Sequence, residues 1–317
     1  MSSRSSSRAR LAVLAAAVLA VAGLAGCGLG PGPVPTGVHL TVTRDFGAQV
    51  LTKTGAPKAN GSETVMSLLL RNNERVTTKY GGGFVESIDG HSGGESGGEP
   101  TDWFYYVNGI EAPKGAAATN VHPGDHIWWD LHDWSQTDDV PAVVGSYPEP
   151  FLNGTEGKRL PVRIECAAAQ SAPCRTVIAR LRALGVPAAV AAIGSGAEPD
   201  ALQVVVGRWT AVHGDPSVTG IESGPRTSGV YARFAPNGQT LTLLAGDGST
   251  TGTLTAGAGL IAATKDDEGA IVWIVTGTDE AGVARAAQAF DASSLENHFA
   301  LALASTGAQL PVPGTGK

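Results

Sequence analysis

Two aromatic runs set the strongest limit on what this chain can become. Residues 102–109 read DWFYYVNG and residues 126–134 read HIWWDLHDW. Both are rich in large β-formers and carry the period-two side-chain pattern of a strand. Asn108-Gly109 closes the first run with a turn signal, and Pro123-Gly124-Asp125 stands directly before the second. On the second run Ile127, Trp129, Leu131 and Asp133 share one face. His126, Trp128, Asp130, His132 and Trp134 share the other. That second face, aromatic and ionisable together, is a candidate ligand surface, since exposed aromatic patches mark binding. The alternatives are a solvated sheet face and a face covered by a second domain.

The flanking sequence predicts an α+β chain in two parts. Val38, Leu40 and Val42 alternate with polar residues, and residues 50–52 read as their partner strand. Ser62 is placed to cap a helix over 63–71, whose Val65, Leu68 and Leu69 fall on one face. Residues 81–100, including GHSGGESGGEP, read as an exposed loop. Residues 136–150 contain PAVVGSYPEP and read as a Pro-punctuated linker. Residues 151–305 mix strands (162–165, 202–206, 230–234, 241–244, 260–263, 271–275, 299–303) with helices at 174–184 and 280–290. This implies a mixed α/β sandwich. Thr278 or Asp279 caps the second helix, and residues 306–317 read as a frayed tail.

The aromatic runs carry a family resemblance. The pattern Trp103-x-Tyr105-x-Val107-Asn108-Gly109, followed by Gly124-Asp125-x-Ile127-x-Trp129, resembles the transcobalamin-like C-terminal domain, also grouped among bacterial domains of unknown function. The upstream hairpin and the short helix beginning with Thr64-Val65 fit the same pattern, so the resemblance covers about residues 38–135. It implies a small β-grasp-like fold with Ile127 and Trp129 in its core, and a face that covers one side of bound cobalamin. The helical barrel that holds the other side of cobalamin in such proteins has no counterpart in this sequence.

The N-terminus has the build of a secretory signal. Arg4, Arg8 and Arg10 precede an apolar run over 11–22, and small residues follow. The run is too short for a spanning helix, which needs about 20 apolar residues. Leu24-Ala25-Gly26-Cys27 resembles the lipobox of bacterial lipoproteins. That resemblance implies removal of residues 1–26, lipidation of Cys27 and anchoring on the extracytoplasmic face of the membrane. Two or more acyl chains, such as palmitate, make that anchor stable. Residues 27–37 then form a Pro/Gly tether that lifts the folded part off the bilayer.

Charge and cysteine usage agree with export. The chain stands at −7, and loss of three signal arginines leaves 19 basic against 29 acidic residues, or −10. Such a chain lacks the basic footprint of a nucleic-acid binder. Cys166 and Cys174 remain as an even pair in an oxidising compartment and read as a disulfide.

No catalytic signature is read in a catalytic setting: the G-x-S-x-G spacing occurs only within the glycine-rich loop stretch GHSGGESGG (90–98), which is not the strand-to-helix turn of a nucleophile elbow, and H-E-x-x-H and G-x-x-x-x-G-K-[ST] are absent. Gly277-Thr278-Asp279 at a helix start reads as a cap ahead of an anion site. His126 and His132 lie six residues apart, about 20 Å along a strand, so one ion cannot join them. No protein-only metal site and no resident cofactor is expected. A single imidazole, His126 or His132, meeting the cobalt of a corrinoid is geometrically easier. The sequence therefore points to a tethered, non-enzymatic binding protein for a corrinoid or other planar ligand in uptake. Its partners would be the membrane and a transporter or envelope protein. The alternatives are an envelope interaction module without a small ligand and, more distantly, a hydrolase in the second part.

Overall fold

The first sheet is centred on the strands that the alternation marks. The computed structural model describes residues 32–195 and 200–314, so Cys27 and the 1–26 segment lie outside the described residues. β1 (His39–Arg44) and β2 (Gln49–Thr54) form an antiparallel hairpin. α1 (Val65–Asn72) follows, buried through Val65, Met66, Leu68 and Leu69. Its cap is Thr64 rather than Ser62: Thr64 accepts from Ser67 N–H, and Ser67 Oγ accepts from Thr64 N–H. Ser62 instead has φ +56°, outside the range of an N-cap.

The stretch expected as an open loop is largely structured. β3 (Val76–Lys79), β4 (Phe84–Ile88) and β5 (His91–Ser92) make a small antiparallel sheet, with Val85 and Ile88 in the core. Its glycines serve the turns, as at Gly81, Gly82 and Gly90, all with positive φ. β6 (Gly94–Ser96), β7 (Glu99–Val107), β8 (Ile110–Glu111) and β9 (His126–Asp133) complete the first sheet, in the order β2-β1-β9-β7-β6, with β8 paired to β7. β1 and β9 run parallel, β7 and β9 antiparallel.

The second sheet has seven strands in the order β11-β10-β12-β17-β16-β18-β19. β10 (Val162–Cys166), β11 (Ala188–Ala191) and β12 (Leu202–Arg208) run parallel with β17 (Ile271–Gly277). β13 (Ala232–Phe234), β14 (Leu241–Leu244) and β15 (Thr250–Leu254) form a separate small sheet. β16 (Gly259–Lys265), β18 (Ala300–Leu303) and β19 (Gln309–Val312) extend the second sheet antiparallel. α2 (Ala172–Ala183) and α3 (Glu280–Gln288) cover one face. Ser171 caps α2, and Pro173 fits its first turn. Cys166 and Cys174 are disulfide-bonded, tying the end of β10 to the start of α2. The whole is a mixed α/β chain with more strand than helix. Among the described residues no helix is long and apolar enough to cross a membrane.

Three segments depart from their sequence reading. Residues 140–151 are no linker: Val140 and Val143 enter the core beneath the first sheet, while Ala142, Val144, Tyr147 and Phe151 enter the core of the second. The prolines mark an irregular backbone, but the apolar residues between them carry enough burial to hold it inside. The tail holds β19, because Leu310 and Val312 pack inward and Gly307 (φ +89°) turns the chain back onto β18. Prolines are tolerated there because β19 is an edge strand. At the other end, residues 32–37 lie along the fold: Pro35 is buried, Gly124 N–H donates to Thr36 C=O, and Gly32 N–H donates to Ser62 Oγ.

Candidate functional site

Both faces of β9 are buried, and this decides the fate of the aromatic row. Ile127, Trp129 and Leu131 pack with α1 and β4. Trp128 packs on the opposite side with Tyr106, Val143 and Phe299, in a core shared with the second sheet. Trp128, Asp130 and His132 are thus enclosed and cannot meet a ligand as the fold stands. Asp130 accepts from the N–H groups of Phe46 and Gly47, from Thr43 Oγ1 and from His132 Nδ1. Trp128 Nε1 donates to Thr43 Oγ1. The His132 ring lies between Phe46 and Phe104, at centroid distances of 4.6 and 4.5 Å. Trp134 remains 38 % exposed but stands apart, at the end of the strand.

His126 is the one residue of that row that reaches a cleft. Parallel pairing sets His39 of β1 opposite His126 of β9. Their rings meet edge-on at 6.2 Å between centroids. They line a cleft of about 370 Å³ where the first sheet meets residues 145–149 and 292–297. Lys53 on β2 pairs with Glu296 and closes one side of it. Asn153 bridges Glu149 and the Gly124 carbonyl on another. Ser146 is buried at the wall, and its Oγ has no hydrogen-bond partner.

The electrostatics of the cleft favour neutral groups. Burial, with the charges of His39 and Lys53 adding to it, pushes the His126 imidazole down to about 4. Burial raises the Glu149 carboxyl above its ordinary range, although Asn153 hydrogen bonds oppose the shift. His126 Nε2 bonds Thr41 Oγ1 at 2.8 Å. Its Nδ1 has no hydrogen-bond partner among the described residues and is the nitrogen left for a ligand. A neutral imidazole with one open nitrogen can accept a hydrogen bond or ligate a metal carried by a ligand. Among the described residues no group of three or more His, Cys, Asp or Glu side chains is arranged to hold an ion.

The other residues singled out by sequence are structural. Asp279 caps α3 through Gly282 N–H and also takes Gly257 N–H, while Thr278 Oγ1 donates to Thr255 C=O. His39, Lys53, Ser146 and Glu296 were missed. The one local signal was that β1 and β9 both open on a histidine ahead of an apolar run.

A family described as Domain of unknown function (DUF4430) matches residues 62–133, from the approach to α1 to the end of β9. No curated protein and no solved structure matches the chain.

Proposed function

We propose that this chain is an exported, lipid-anchored binding protein of the bacterial cell envelope, and that its ligand enters the cleft at His39 and His126. The anchoring rests on the residues before Cys27: three arginines, a short apolar run and Leu24-Ala25-Gly26. The hairpin β1–β2, the helix α1 and the central parallel pair β1/β9 support a β-grasp-like, transcobalamin-like reading of residues 38–135, with residues 151–314 as a second unit. The observation that carries the binding reading is that His126 lines the cleft beside His39 while its Nδ1 has no hydrogen-bond partner among the described residues. A cleft of about 370 Å³ lies at the small end of ligand sites. A corrinoid would present its metal face there while most of the macrocycle stayed outside.

Titration with aquocobalamin, followed by visible absorption, tests this. A spectral change that disappears in His126→Ala supports the reading. No change, or an equal change in His126→Ala, overturns the corrinoid assignment.

A second reading has its own observation. Tyr80 is 86 % exposed at the β3–β4 tip, in contact with Phe84 at 6.2 Å between ring centroids. An aromatic pair on a projecting turn fits docking onto a transporter or another envelope protein. Photo-crosslinking from position 80 in intact cells would capture that partner, and an absence of adducts would count against it.

A further inference from the structure

We propose, building on the lipid anchor at Cys27, that the β3–β4 turn is a second membrane contact, with Tyr80 and Phe84 resting in the headgroup layer of the bilayer. Only residues 28–31 separate Cys27 from the fold, because Gly32 N–H donates to Ser62 Oγ and Pro35 is buried. The five residue steps from Cys27 to Gly32 span at most about 18 Å. The end of the fold that carries Ser62 is therefore held close to the surface in which the lipid is anchored. A soluble partner domain, about 30 Å across, does not fit into that gap, so lipid is the occupant of what faces it.

The turn stands at the same end. Ser62 lies just before α1, whose first N–H groups, on Val65 and Met66, donate to the carbonyls of Thr119 and Ala116. Gly115 opens that stretch, and a Cβ built on it would lie 4.0 Å from the Gly83 carbonyl oxygen. The tether exit, the start of α1 and the β3–β4 turn are thus successive neighbours. Tyr80 is 86 % exposed there and Phe84 37 %. Gly81 and Gly82 lie between them with positive φ and open space where a side chain would begin, so the turn projects from the fold. Tyr80 itself has φ +52°, a left-handed conformation that is costly for a bulky residue, and the backbone holds its ring outward at that cost. Charge does not oppose insertion: residues 79–86 carry one cation and one anion, Lys79 and Glu86, paired at 2.8 Å. An apolar ring with a polar end suits the membrane–water interface, and Tyr80 offers both. The chain is acidic, so the contact is apolar and operates on neutral lipid.

Maleimide coupling of the chain 27–317 through Cys27 supplies the anchor, since Cys166 and Cys174 are disulfide-bonded and Cys27 is the remaining cysteine. On phosphatidylcholine vesicles, p-benzoylphenylalanine in place of Tyr80 should form a phosphatidylcholine adduct on illumination, read by mass. The same photo-residue in place of Val190, 48 % exposed on an edge strand of the second sheet, should form none. A single myristoyl chain coupled at Cys27 holds a protein to vesicles only marginally, so partition of that form reports the second contact. Tyr80→Ser/Phe84→Ser should lower the partition at least about tenfold, since two aromatic rings leave the interface. No lipid adduct at position 80, an equal yield at position 190, or an unchanged partition would each overturn the proposal. Protein adducts at position 80 in intact cells, without lipid adducts, would overturn it in favour of a protein partner. Coupling makes the vesicle results independent of whether cells lipidate Cys27. A native chain whose mass shows no lipid at Cys27 would overturn the anchor, and with it the membrane contact in the cell.

Discussion

Nδ1 of His132 lies 2.9 Å from Oδ1 of Asp130, and both side chains are sealed from solvent. The pair sits at the point where the β1–β2 turn closes over the first sheet. Asp130 takes two backbone N–H groups of that turn, from Phe46 and Gly47, besides Thr43 Oγ1. Removing the carboxylate leaves the Phe46 and Gly47 N–H groups and the His132 imidazole without that acceptor, while Thr43 Oγ1 keeps the Trp129 carbonyl. Asp130→Ala should therefore destabilise the chain by about 3–5 kcal/mol, as for other broken buried pairs. Urea unfolding measures this, and a loss below about 1 kcal/mol would show that the turn re-pairs by itself.

The three tryptophans of β9 should separate by burial and not by face. Trp128 and Trp129 are both enclosed, on opposite sides of the sheet, at 0 and 2 % exposure. Each alanine variant should lose about 3–5 kcal/mol. Trp134→Ala should stay within about 0.5 kcal/mol, as for other surface changes. Thermal melts of the three variants side by side decide it. A mild effect at Trp128 would mean that the covering residues 140–146 lift away easily.

The contrast between Trp129 and Trp128 explains what the sequence could disclose. Alternation placed 126–134 on a strand and Trp129 and Trp128 on opposite faces, because both follow from period two, and the family resemblance chose the Trp129 face as the inward one. Alternation cannot distinguish a solvent face from a face packed on a second core, so Trp128, Asp130 and His132 looked available. Their partners, Thr43, Phe46 and Gly47, lie more than eighty residues away in sequence. The cleft was hidden for the same reason: His39 and His126 meet only through the β1/β9 register. Residues 140–150 misled through their prolines, whose local message of irregular backbone is correct and silent about burial. The second sheet was more open to reading, since 271–275 is continuously apolar and 202–206 is apolar at all but Gln203, as buried parallel strands are.

Two groups should make stability depend on pH in opposite senses. His126 is held at about 4 in the fold, below its ordinary 6.5. The fold favours its neutral form, so this contribution is complete above about pH 6.5 and is lost as pH falls toward 4. Glu111 is raised to about 8 from 4.5. The fold favours its protonated form, so that contribution is complete below about pH 4.5 and is lost as pH rises through 8. Against the parent, Glu111→Gln should gain in relative melting temperature between pH 5 and 8.5. His126→Gln should lose its relative sensitivity to acid between pH 6.5 and 4. Parallel pH profiles for parent and variant would remove the group concerned from the account.

The disulfide tests whether the two sheets unfold together. Cys166 and Cys174 are eight residues apart, and closing so short a loop contributes about 2–3 kcal/mol in the chain-entropy model. A bridge confined to an independent second domain would lower the melting temperature of that domain alone. The packing argues for a different outcome. Tyr106 and Trp128 of the first sheet share one core with Val205 and Ile274 of the second, and Phe299 stands edge-on to both aromatic rings. Residues 140–151 divide their side chains between that core and the one beneath α2 and α3. Neither sheet can open without exposing apolar surface of the other, and this couples them at about 25 cal/mol per Å² exposed. Cys166→Ala/Cys174→Ala should therefore shift one transition, with far-UV circular dichroism, tryptophan fluorescence and calorimetry coinciding. A first transition that moves while a second stays fixed would show that the shared core is too weak to join the sheets into one folding unit.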